Sequence, residues 1–212
     1  MQAFTIHSGT IIPFNRRNID TDAIVPKQYL KMLDKTGFGG FLFDDERYLD
    51  PGDVEVPLSS RRPNPEFILN QPPFDQGSIL LAQGNFGCGS SREHAVWALY
   101  DFGIRVVIAP SFGEIFYNNA FNNGLLPIIL DQAIVDELFE SSQKAPGKVI
   151  SVDLENTVIK GSGSERWTFA IEEGRKQSLL QGLDEIGMTL EKAAKIKAFE
   201  DNLRNADPWL FS

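Results

Sequence analysis

Apolar residues in the middle of the chain come in short blocks, separated by segments of helical period. The runs at 79–82, 104–109 and 125–130 are of the length and composition of buried strands. Between them, Ala95, Leu99 and Phe102 fall on one face at helical spacing with Trp97 to the side, and Ile115, Phe116, Ala120 and Phe121 do the same across 111–123. Residues 133–142 continue as an amphipathic helix. Helix alternating with buried strand predicts parallel pairing through right-handed crossovers. The pattern changes near residue 149. Segments 149–154, 157–160 and 167–171, separated by Glu155-Asn156 and Gly161-Ser162-Gly163, read as an antiparallel meander. Helices are then predicted at 175–181 and at 190–203, the latter with Thr189 as N-cap. Residues 3–14 read as two short strands around Ser8-Gly9, and 24–33 as a turn leading into a helix. The expectation is an α/β domain with a mixed sheet plus an antiparallel meander.

The interruptions carry their own information. Residues 15–22 form a polar loop with two arginines and two aspartates. Residues 34–40 set Gly37, Gly39 and Gly40 among aromatic residues, as a tight connection or, preferred here, a mobile lid. Six of the twelve prolines lie in 51–73, which predicts a surface-wrapping connection of little regular structure. Within it, Arg61-Arg62 reads as an exposed basic pair. The tail 208–211 is too apolar to be simply solvated and is expected to pack on the domain or on a partner. The organisation expected is a single domain over 1–212, with 51–73 as the surface connection and 187–212 as a carboxy-terminal helix and tail.

Charge narrows the function. Lys and Arg number 20 against 29 Asp and Glu, a net charge of −9 that argues against nonspecific binding to nucleic acid or anionic membrane. An anionic substrate is still allowed, because a local Arg and a helix end can oppose the overall field. One cysteine permits no internal disulfide, and no run is long enough to span a bilayer. No basic segment with an apolar core opens the chain, so a cytoplasmic protein is expected.

The chemistry concentrates at 84–94. Gly84, Gly87 and Gly89 let the backbone bend tightly after the strand at 79–82. Ser90 or Ser91 can cap a helix, Glu93 suits its first turn, and Gly103 offers a stop. This is either an ordinary capped helix or an anion site, with free N–H groups, two hydroxyls and the fork of Arg92 converging on one helix end. Other motifs fail on single residues. A phosphate loop needs lysine where Ser90 stands. A nucleophile elbow needs glycines where Cys88 or Glu93 stands. A dinucleotide fingerprint needs glycine where Arg92 stands.

Gly89-Ser90-Ser91-Arg92-Glu93-His94, preceded by Phe86-Gly87-Cys88, closely resembles the signature of the aconitase-family swivel domain, in its isopropylmalate-isomerising small-subunit branch. Asn18-Ile19-Asp20-Thr21-Asp22 with Ile24-Val25-Pro26-Lys27, Thr36-Gly37-Phe38-Gly39, and Gly182-Leu183-Asp184 with Ile186-Gly187 are similar to further motifs of that branch, in the same order. The resemblance implies a swivelling three-layer β/β/α domain of the aconitase carboxy-terminal type. It implies a hydro-lyase that isomerises 2-isopropylmalate to 3-isopropylmalate in leucine biosynthesis. Ser90 would be the base that takes a proton from carbon, Arg92 the clamp on a substrate carboxylate, and Ser91 its assistant. Thr21 and Asp22 occupy the position of an active-site Thr-Asp pair, as substrate-binding candidates. A 4Fe–4S cluster is part of the family's chemistry, and one cysteine cannot hold it. The cluster is therefore expected in a large subunit, with this chain as the other half of a heterodimer, binding no metal itself. A small subunit acting on homocitrate, citraconate or dimethylmalate, or a non-catalytic anion-binding domain, remains open on these residues.

Overall fold

The computed structural model describes residues 1–32, 34–90 and 92–211. Seven strands, β1 (Ile6–Phe14), β2 (Ile79–Ala82), β3 (Val106–Ala109), β4 (Leu126–Ile129), β5 (Val149–Asp153), β6 (Val158–Lys160) and β7 (Arg166–Thr168), form one mixed sheet in the order β4-β3-β2-β1-β5-β6-β7. Among the described residues eight α-helices accompany it: α1 (Thr21–Ile24), α2 (Asp44–Arg47), α3 (Glu93–Phe102), α4 (Glu114–Asn122), α5 (Gln132–Lys144), α6 (Glu173–Gln181), α7 (Glu185–Leu190) and α8 (Ala193–Ala206).

The sheet is organised by β1, which serves two partners in turn. Its first half, Ile6 to Thr10, pairs antiparallel with β5, and its second half, Ile11 to Phe14, pairs parallel with β2. The two short strands expected over 3–14 are thus one strand running straight through Ser8-Gly9. The partner change between Thr10 and Ile11 marks the boundary between the parallel half and the meander. Both faces of the parallel half are covered. Ile12, Phe14, Leu80, Ala82, Val107 and Ala109 pack toward α3 and the segment 38–43. Ile11, Leu81, Val106, Ile108 and Ile128 share the opposite core with α5, α6 and the curled-over meander. That double coverage is why β2 and β3 are apolar at every position rather than at alternate ones. Each fully buried aliphatic side chain here contributes about 1.5–3 kcal/mol relative to exposure.

Several boundaries differ from the sequence pattern. α3 begins at Glu93 and not at a serine; Arg92 is its N-cap, in extended conformation and without a side-chain capping bond. Gly103 does end it, with φ of 114° and its N–H turned back to Leu99 and Tyr100. The helix expected at 190–203 is α8, shifted to begin at Ala193, and Thr189 is not its cap but lies inside the separate α7, whose cap is Asp184 accepting from Gly187 N–H at 2.7 Å. No residue of α8 is buried, and Trp209 and Leu210 are 68% and 61% exposed, so the domain does not cover the apolar tail. Among the described residues no helix is long and apolar enough to cross a membrane.

Segment 36–43 is closed down onto the body. Phe38 and Phe43 are fully buried, and Phe38 packs against His94 and Trp97 with ring centroids 5.2 and 5.7 Å away. Gly39 has no alternative at this contact, because a Cβ there would sit 2.7 Å from the backbone of Asp101 and Phe102. Phe38 N–H donates to Asp101 Oδ2 at 2.9 Å, and Arg47 donates to Gly39 C=O at 2.9 Å. Of the segment's aromatic side chains only Phe38 meets α3; Phe41 stacks on Tyr29 at 4.0 Å and Phe43 packs against Phe14 at 4.7 Å.

The proline-rich connection is anchored by a buried charge. Arg61, expected to be exposed, is 6% exposed and pairs bidentately with the fully buried Asp44 at 2.5 and 2.9 Å. Tyr29 Oη donates to the same carboxylate at 2.9 Å, Arg61 donates to Asp50 C=O at 2.8 Å, and its guanidinium lies 4.1 Å from the Tyr48 ring centroid. Burial and the neighbouring Asp44 carboxylate raise the Tyr29 phenol, which stays a donor. Arg62 is the exposed one, paired with Asp50 at the surface. Removing one partner from a buried, fully bonded pair strands the other charge. Arg61→Ala is therefore expected to destabilise the fold by about 3–5 kcal/mol, whereas Arg62→Ala leaves the denaturation midpoint almost unmoved. Urea titrations of the two variants check this; equal effects would contradict the buried assignment.

Candidate active site

β1, β2 and β3 run parallel and end together at Phe14, Ala82 and Ala109. The loops that leave these ends are stitched to one another through the main chain. Gly87 N–H donates to Ile19 C=O at 2.7 Å, Thr21 N–H to Cys88 C=O at 3.0 Å, and Gly113 N–H to Phe86 C=O at 2.8 Å. Asn85 Nδ2 donates to Asn18 Oδ1 at 2.8 Å, and both asparagines adopt positive φ, which this residue type tolerates. Glycine is required at 87, where φ is +70° and a Cβ would run into the ring of Phe116. Phe86, with no exposed surface, packs edge-on against Phe116 at 5.2 Å and pins the loop from below.

This stitching delivers Ser90 and Arg92 to one cleft of about 580 Å³, which Leu30, His94 and Trp97 also line. Ser90 is exposed to it, and no described residue hydrogen-bonds its hydroxyl. Arg92 is ion-paired with Asp22 of α1, so the two sequence candidates 70 residues apart are in contact. The Arg92 side chain is 19% exposed and that of Asp22 52%, which leaves the carboxylate at the rim and the guanidinium in the wall. Thr21 is placed differently from a substrate ligand. It is 2% exposed, and its hydroxyl donates to the Ser90 carbonyl at 2.9 Å. Ser91 lies outside the described residues.

Two residues of the site are not singled out by the sequence. Asn123, just past α4, donates to Glu93 Oε1 at 2.9 Å and accepts from Trp97 Nε1 at 3.0 Å, fixing the first turns of α3. A lone asparagine at a helix end gives no sequence signal for that role. Trp97 stands to the side of the apolar face of α3, and that side is the cleft wall. A second hollow of about 540 Å³, near Arg175 and Met188 beside α6, lies away from this chemistry.

Cys88 does not suit a metal cluster. It is the only cysteine of the chain, and among the described residues no three His, Cys, Asp or Glu side chains stand together as a metal site. Burial, with the Asp20 carboxylate beside it, pushes the Cys88 thiol up, which favours the protonated form over the ligating thiolate.

Comparison with known proteins points one way. A family model described as the aconitase C-terminal domain matches residues 1–133, and one described as the C-terminal domain of the 3-isopropylmalate dehydratase small subunit matches 185–212. The chain is 53% identical over 212 residues to the 3-isopropylmalate dehydratase small subunit of Marinobacter nauticus, covering 100% of this chain and 99% of that one. Against the protein of the same name from Polaromonas naphthalenivorans it is 53% identical over 210 residues, covering 99% and 97%. Among solved structures it is similar to 3-isopropylmalate dehydratase from Methanocaldococcus jannaschii, with a TM-score of 0.62, 28% identity, and coverage of 92% of this chain and 99% of that one.

Both histidines are held below the ordinary imidazole range. Burial is the main cause at each, aided by the Arg92 cation at His94, where Glu93 opposes it, and by Arg105 at His7. The unfolded chain then takes up protons first, near a pH of about 6.5, while the folded chain resists to lower pH. The histidine contribution to stability is complete above that value and is lost as pH falls through the folded pKa values. Denaturation midpoints measured from pH 8 down to 5 are expected to fall below about pH 6.5, with a shallower fall in His94→Gln. A stability that rises on acidification across this window would contradict the half-buried, neutral imidazoles.

Proposed function

The chain belongs to the family of 3-isopropylmalate dehydratase small subunits, built on the aconitase C-terminal domain, and from that premise we propose that Ser90 is its base and Arg92 its substrate clamp. The enzyme is a hydro-lyase of leucine biosynthesis, which isomerises 2-isopropylmalate and 3-isopropylmalate by removing water and adding it back. The observation that carries the residue assignment is the shared cleft. Ser90 and Arg92 open into one volume, and the guanidinium there is already engaged by a carboxylate, that of Asp22.

Each residue then has a chemical task. The substrate is a dicarboxylate, and the planar fork of Arg92 matches a carboxylate in bidentate fashion. Asp22 holds that fork in orientation from the rim and, being half-exposed, can yield to an incoming carboxylate. Ser90 accepts the proton from the carbon next to the leaving hydroxyl during dehydration and returns a proton to carbon during rehydration. Stabilisation of its alkoxide falls to nearby positive charge and main-chain N–H groups. His94 packs between Phe38 and Trp97 as a neutral ring and shapes the wall. Departure of the hydroxyl is left to the partner. We infer a 4Fe–4S cluster in the large subunit, because Cys88 alone cannot hold one, and a heterodimer with the active site between the chains.

In the assembled enzyme, Ser90→Ala is expected to lower kcat by at least ~10²–10⁴, the usual worth of a positioned base, with a smaller change in KM. Wild-type turnover by this variant, together with loss in Ser91→Ala, would move the base by one residue. Arg92→Lys keeps the charge but not the fork, and is expected to raise the barrier in kcat/KM by ~2–4 kcal/mol. A near-normal kcat/KM would remove Arg92 from the substrate.

A further inference from the structure

We infer that Thr21 is a positioning residue for Ser90, acting through the main chain and not through contact with substrate. The inference rests on the reading of Ser90 as base. A serine hydroxyl is two bonds from its Cα, so its place is set by the peptide that carries it and by one torsion. Among the described residues nothing bonds the Ser90 hydroxyl, and the residue itself is exposed. Its carbonyl, in contrast, is held by Thr21 Oγ1 at 2.9 Å.

Thr21 is suited to this by its own fixation. Its N–H donates to Cys88 C=O at 3.0 Å and its C=O accepts from Val25 N–H at 3.0 Å. Asp20 caps the same helix by accepting from Ala23 N–H at 2.7 Å. All three polar groups of Thr21 are thus committed, two of them to the peptide run 88–90, and the side chain is 2% exposed. A side chain so enclosed has its hydroxyl proton committed and almost no surface to offer substrate. Asp22, the next residue, holds Arg92. One short helix therefore sets the base through Thr21 and the clamp through Asp22, which fixes the proton acceptor relative to the carboxylate site.

The test is a double-mutant cycle on the assembled two-subunit enzyme, with kcat, KM and melting temperature read for every variant. Thr21→Val keeps the shape and removes the donor, while Thr21→Ser keeps the donor and removes the methyl. Misplacement of a reacting group by about 1 Å costs on the order of 10²-fold in rate. The expectation for Thr21→Val is a fall in kcat of about 10- to 100-fold with KM within about threefold, and for Thr21→Ser a kcat near wild type. In a Ser90→Ala background, Thr21→Val is expected to cause no further loss, since the base it positions is gone. The inference is overturned if Thr21→Val turns over normally while Ser90→Ala is impaired. It is equally overturned if Thr21→Ser loses as much as Thr21→Val, or if the valine effect persists in full without Ser90. Should Thr21→Val fail to assemble, the serine variant alone decides, by keeping or losing kcat at unchanged KM. Wild-type turnover by Ser90→Ala, by contrast, marks failure of the base assignment itself.

Discussion

The site depends on a main-chain constraint: three loops leaving adjacent parallel strands are hydrogen-bonded to one another before any side chain takes part. Ile19 accepts from Gly87 N–H at 2.7 Å, Cys88 from Thr21 N–H at 3.0 Å, and Phe86 from Gly113 N–H at 2.8 Å. Ordering each residue of such a loop costs roughly 1–2 kcal/mol of backbone entropy, and each bond returns only about 0.5–1.5 kcal/mol net. The bonds alone cannot offset that cost. Apolar burial must add to them, and the buried ring of Phe86, set against Phe112 and Phe116, is one such contact, fastening the glycine loop to the body.

The same logic explains the far side of α3. Phe38 and Gly39 close on this helix from segment 36–43, and Arg47 ties that segment to α2. Close to Arg47 on α2, Asp44 makes the buried pair with Arg61 that anchors the proline-rich connection. A chain of contacts therefore runs from the Asp44–Arg61 pair through the glycine-aromatic segment to α3, at whose start Arg92 stands. The surface connection and the cleft are parts of one packed unit.

Electrostatics shows the difference between a global and a local field. With a net charge of −9 the chain as a whole repels a dicarboxylate. At the cleft, Arg92 is a cation in the wall paired with Asp22 at the rim, and a charge so little exposed acts at short range, where solvent screens it less. Apolar residues of α8 and the tail, Phe199 and Leu210 among them, stay exposed.

By itself the sequence determined the α/β alternation, because strands buried on both faces must be apolar at each position, as β2 and β3 are. It also drew Ser90 and Arg92 together as candidates, since three glycines, two hydroxyls and an arginine fall within nine residues; those residues alone allowed an ordinary capped helix as well, and the family resemblance gave each a role. It could not say that a single strand, β1, runs from Ile6 to Phe14, because partner exchange at Thr10 and Ile11 is a property of the sheet and not of the segment. Nor could it separate Arg61 from Arg62, adjacent residues of one type, of which only the first meets Asp44. The helix start moved for a similar reason: Ser90 is held by Thr21, 69 residues away, so the chain turns into α3 only at Arg92. Local patterning fixes what a residue can do. Which residue does it was decided by contacts between segments far apart in the chain, which burial and close approach create only once the sheet has formed.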